Sequence, residues 1–288
     1  MGTAGSYGGS SRGNVLTPSF VSDDDYFPPA AAPSEGEADG EEGAPPREDR
    51  LAAATAAARA SIPVDFSRPR ANFTTFARSG GHDRRALGRA ASSYVNAAGG
   101  AGNAARHMGA SRAAGSSLAA FLADAARSGV DEALRTLNLP GLAGRPPAEI
   151  FAALTDVFCP DGGTIDEAIA REAFVEMIID LSEIGVADIA DLAPERMPEI
   201  FELFVAHAIE ARIENDIAMK AVAVPANTDA AQRVQDVLCD FIRRAVQDVM
   251  VRADDLRELA QDRIKEWVDT VYAQAFELLR VLGDEEAR

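Results

Sequence analysis

The 288 residues include only two cysteines, three histidines, one tryptophan and two lysines, and each shortage closes off a class of function. Cys159 and Cys239 lie far apart with no paired spacing. A disulfide framework or cysteine-based zinc cluster is therefore not expected, and a reducing, cytoplasmic setting fits. No run of 18 apolar residues occurs, so no membrane-spanning helix is expected. The first residues carry neither the basic nor the apolar region of a secretory signal. Aromatic residues are 6% of the chain while alanine is abundant, which favours close-packed helices over a sheet. Strand-like alternation is missing too, and the expected fold class is all-α.

The same shortages thin the field of catalytic motifs. A phosphate-binding P-loop needs glycine directly before its lysine, but Lys220 follows Met219 and Lys265 follows Ile264. The nearest dinucleotide-like string, Gly100-Ala101-Gly102-Asn103-Ala104-Ala105, follows no strand and reads as a loop. Gly109-Ala110-Ser111-Arg112-Ala113 resembles a nucleophile elbow without its last glycine. No sheet is expected behind it, so Ser111 reads as a helix N-cap. Of the histidines, His82 falls in a turn and His107 in a basic stretch. His207 has Glu210 one helical turn away, but no second such pair exists, so it reads as a satisfied, half-buried side chain. Asp161, in the string CPDGG, reads as a turn residue. Neither a cofactor nor a metal is expected.

What the chain has in excess is acid. The formal charge is −18, and the carboxylates recur on what read as solvated helix faces. Three regions follow from composition. Residues 1–65 form a Gly/Ser-rich and then acidic tail, with ten acidic against three basic residues over 1–50. It is expected to be disordered apart from a short alanine-rich helix around 51–60. Residues 66–127 are basic, with nine arginines against Asp83 and Asp124. Helices are predicted there over 84–96 and 110–126. Residues 128–288 form an acidic helical core. In it Pro147 opens one helix, and Thr164 with Glu167 completes a capping box for the next. That next helix, IDEAIAREAFVEMIIDLSEI, is apolar on more than one face and reads as the central helix of the body. Prolines 194 and 198 flank the start of another helix. The last two apolar stripes are predicted to form two antiparallel helices with a break near Ala253.

The first residues offer the one distinctive chemical group. With glycine second, methionine is readily removed, leaving the Gly2 amine on a Gly/Ser arm. The string MGTAGS also fits the loose N-myristoylation pattern, although one acyl chain beside an acidic tail would anchor poorly.

The strings MGTAGSYGG, LGRAASSYVNAAGGAGNAARHMGASRAAGSSLAAFL and above all PDGGTIDEAIAR resemble the QatB family of bacterial Qat anti-phage defence systems. The resemblance implies a non-enzymatic member of a four-component system. Its companions would be an ATPase, a QueC-like protein of the QatC type and a TatD-like nuclease. QueC relatives activate the carboxylate of a 7-deazaguanine base with ATP, which suits joining such a base to a protein amine. Gly2 is then the expected modification acceptor, and Arg84, Arg85, Arg89, Arg106 and Arg112 of the basic stretch are the expected partner-docking residues. The alternative is a nucleic-acid-binding module using 66–127, against which the net charge argues.

Overall fold

Side-chain caps mark where three of the helices begin. In the computed structural model, residues 64–160, 163–186, 192–219 and 227–288 are described. The tail with Gly2, the predicted helix 51–60 and Asp161 lie outside them. The described residues form helices α1 (Ser67–Arg78), α2 (Arg84–Ala97), α3 (Ala101–Arg106), α4 (Gly109–Ser128) and α5 (Val130–Thr136). These are followed by α6 (Pro147–Phe158), α7 (Ile165–Glu183), α8 (Met197–Ile213), α9 (Thr228–Met250) and α10 (Ile264–Glu286). No strand occurs among the described residues, so the fold is all-α.

Asp83 accepts the Ala86 amide at 2.9 Å to start α2. Thr164 and Glu167 form a full capping box at α7, as predicted. Asn227 accepts the Ala230 amide at 2.8 Å at α9. Such caps satisfy backbone amides that have no partner within the helix, each contributing about 1 kcal/mol. Between α9 and α10, Asp255 accepts the Arg257 amide at 3.0 Å and caps a short 3₁₀ turn. The two long stripes are thus separate helices, packed on each other.

Two local expectations fail. The string after Gly100 is helical from Ala101, because Gly99 and Gly100 take positive φ (86° and 95°) and turn the chain before it. Ser111 does not cap α4. That helix starts earlier, at Gly109, and Ser111 is buried inside it.

The core also has a different centre from the one the apolar pattern suggested. In α8, twelve of seventeen residues are buried, and it packs against α4, α7 and α9. Phe204 meets Phe174 of α7 at 5.1 Å between ring centres, and Phe201 meets Trp267 of α10 at 4.9 Å. Helix α7 buries one face through Ala173, Phe174 and Met177, but its second apolar face is exposed. Beyond Ile213, α8 continues as a π-helical turn, Glu214–Ala218.

The arginine-rich helices share one hydrophobic core with the acidic ones. Phe66 stacks on Tyr94 at 4.9 Å, and Tyr94 reaches Phe276 of α10. The Tyr94 hydroxyl donates to Asp216 Oδ2 at 2.9 Å, and Arg70 Nε donates to the Asp216 carbonyl at 3.1 Å. Arg212 Nε donates to the same carboxylate at 3.0 Å. The π-turn is therefore held by α1 and α2 as well as by its own helix.

Candidate functional site

Two surfaces of opposite charge stand out. The first lies on α2, where Arg85 and Arg89 are one turn apart and so share a face. Arg84 and Arg85 are exposed, and among the described residues neither has an ion-pair partner. Arg89 is half-buried beside Asn72, Ser93 and Asp284 at a shallow groove of about 410 Å³. Arg106, on α3, donates to Asn103 of its own helix. Arg112, on α4, is tied to Asp269 of α10. Of the five arginines expected to dock a partner, α2 brings three together. Arg112 serves packing between helices, as do Arg70 and Arg127, which donates to the Leu259 carbonyl at 3.0 Å.

The second surface is a groove of about 470 Å³ between α7, α8 and α9. Glu172, Glu176 and Asp180 enter it from α7, Glu210 from α8, Glu214 from the π-turn and Asp236 from α9. At its floor, His207 is almost fully buried. Its Nε2 lies 2.8 Å from Asp180 Oδ2, and its Nδ1 lies 3.5 Å from Glu210 Oε2. Arg243 donates to the same Asp180 carboxylate, and Gln235 donates to Glu210 Oε1 at 2.8 Å. Burial pulls the imidazole pKa down, but hydrogen bonds to Glu210 and Asp180, with their charge, outweigh it and hold it above its ordinary value. His207 is the satisfied side chain that its spacing suggested.

Glu214 is pushed up to about 7, first by burial and then by the charges of Glu210, Glu172 and Glu176, against a hydrogen bond from Gln235. The groove is therefore short of positive charge. Cys239, at its edge, is pushed up to about 12, mainly by burial and then by the Glu210 charge. Buried Cys159 is pushed up to about 11. Both remain protonated thiols at neutral pH and are poor nucleophiles. The ring nitrogens of His207 face Asp180 and Glu210, and among the described residues no hydrogen bond joins them to Cys239. Among the described residues no three metal-capable side chains gather at one point.

The groove was missed because its carboxylates come from four separate segments, and each one alone looks like a solvated face. The available signal was the one-turn spacing of Glu172 with Glu176 and of Glu210 with Glu214, on helices that also carry large apolar residues.

A family model for the Qat anti-phage system associated protein QatB matches residues 99–279. That span contains the acidic groove, whereas Gly2, Arg84, Arg85 and Arg89 precede it. Neither the curated proteins nor the solved structures contain a match.

Proposed function

The chain belongs to the QatB family of Qat anti-phage system associated proteins, and from that premise we propose that it serves its defence system as a docking subunit and modification substrate. The body holds partners, and the Gly2 amine accepts a group from a QueC-like partner. The α2 arginines are the docking residues for that partner or for the ATPase or nuclease of the same system.

The observation that carries this reading is how the body allocates its ionisable groups. His207 and Arg243 are engaged with carboxylates and both thiols are held protonated, so among the described residues neither cysteine is an activated nucleophile. Chemistry on this chain then calls for a catalyst from another protein. An α-amino group, with an ordinary pKa of about 8, is partly uncharged at neutral pH, unlike a lysine near 10.4. With only two lysines in the chain, the terminal amine has little competition. When a carboxylate is activated as an acyl adenylate, the amine attacks its carbonyl carbon. The C–N bond forms, the C–O bond to AMP breaks, and the amine proton leaves to solvent.

Intact mass of the chain co-expressed with the QueC-like partner tests this. The expected product has lost Met1 and gained one acyl group on the Gly2-containing terminal peptide. A terminus showing methionine loss alone, with partner and ATP present, overturns it.

A further inference from the structure

Helix α7 keeps one side uncovered, and that side is not an ordinary solvated one. Ile165, Glu172, Val175, Glu176, Ile179 and Glu183 fall within one arc of the helix, and all are exposed. Val175 and Ile179, one turn apart, are each 46% exposed, and Ile165 at the start of the helix is 64% exposed. Exposed apolar residues scattered singly are common on any protein, but Ile165, Val175 and Ile179 share one arc of one helix, the pattern of an anchor strip for a partner. Carboxylates flank the strip. Among the described residues Glu172, Glu176 and Glu183 have no ion-pair partner, and the groove behind them opens onto the same edge of α7.

The charge balance of that groove argues for one kind of occupant. Its arginine, Arg243, is already engaged with Asp180, as is His207. Seven carboxylates line the groove against one arginine, and Glu214 is pushed up to about 7, first by burial and then by its acidic neighbours. An incoming cation would relieve that repulsion, whereas an acidic or purely apolar segment would add to it or leave it in place.

We propose that the uncovered side of α7, with the groove along it, docks a cationic amphipathic helix of a partner protein. Apolar residues at i and i+3/i+4 of that helix cover Val175 and Ile179. Arginines or lysines on its flanks pair with Glu172, Glu176 and Glu214. None of the residues of this surface is an α2 arginine or Gly2, so its test is independent of the amine-acceptor reading.

The test is fluorescence anisotropy of the full chain with a synthetic helix of about 18 residues, leucine on one face and arginine on its flanks. Two pairs of α7 substitutions are compared with wild type: Val175→Ser with Ile179→Ser, and Glu172→Gln with Glu176→Gln. A control, Asp262→Asn with Glu266→Gln, removes the same charge at exposed positions just before and within the first turn of α10. All these side chains are at the surface, so melting temperatures report that the variants stay folded. The expected result is binding weakened at least about tenfold by each α7 pair and less than about twofold by the control. A peptide with glutamate in place of arginine is expected not to bind. Equal weakening by the control and the α7 pairs would mean attraction to overall acidity, and overturns the proposal. So does the absence of wild-type binding. A wild-type dimer that the Val175/Ile179 pair turns into monomer would assign the strip to a second copy, and overturns it as well.

Discussion

Gly88 of α2 and Gly283 of α10 face each other so closely that a Cβ on either would stand 2.6 Å from the other's carbonyl oxygen. This contact seats the arginine-bearing helix on the C-terminal helix. No flexible side chain stands at the nearest point to yield, because the obstacle on each side is backbone. Gly88→Ala is therefore expected to destabilise. Overpacking costs roughly 1–3 kcal/mol, of which helix propensity returns up to about 1. Thermal unfolding should show a melting temperature lower by about 2–8 °C.

The buried ring of Phe204 and the exposed side chain of Val175 give opposite expectations on neighbouring helices. Phe204→Ala removes a fully buried ring packed on Phe174 and Gly115 and is expected to cost about 3–5 kcal/mol. Val175→Ala should stay within about 0.5 kcal/mol, since it opens no cavity. Urea unfolding of the two variants measures both. A comparable loss from Val175→Ala would mean that the uncovered side of α7 is packed in solution.

Stability should rise, not fall, as pH drops from about 8 towards about 5.5. Both His207 and Glu214 have folded pKa values above their ordinary ones of 6.5 and 4.5. A raised folded pKa contributes stability that is fully present below the unfolded value and is lost as pH climbs through the folded one. The opposite group, Asp65, Glu167, Asp255 and Glu277, has lowered folded values from local hydrogen bonds. Their contribution is lost only at more acidic pH, so the optimum lies between the two windows. Glu214→Gln should stabilise by roughly 1–2 kcal/mol at pH 8, discounted for the open groove, and hardly at all near pH 5. Denaturation curves at several pH values decide it.

Arg84→Ala combined with Arg85→Ala should leave the melting temperature within about 2 °C, because neither side chain holds another element in place. The same pair is expected to reduce co-purification of a partner from the Qat system. If instead it abolishes a salt-dependent shift with DNA or RNA, the arginines serve phosphate contacts.

Much of this protein is legible along the chain. The all-α class follows from scarce aromatics, abundant alanine and the period of the apolar residues. The capping box at Thr164 and Glu167 was visible because capping involves residues three positions apart. The break between the last two helices was likewise expected near Ala253, where α9 ends at Met250 and the chain turns before α10. His207 was read correctly as satisfied, since its spacing to Glu210 is local, although its second partner, Asp180, was not visible.

Tertiary packing decided the rest. Helix α7 has more apolar character than one face needs, and only the placement of α8 shows which of its faces the core takes. The acidic groove draws carboxylates from α7, α8, the π-turn and α9, and their repulsion is felt only once these meet in space. Among the arginines, composition marked the block but not the division of labour: Arg70, Arg112 and Arg127 bind segments distant along the chain, while Arg84 and Arg85 remain at the surface. Helix period and caps depend on neighbours a few residues apart, so the sequence carries them. Burial and charge compensation depend on segments distant along the chain, so they exist only in the folded molecule.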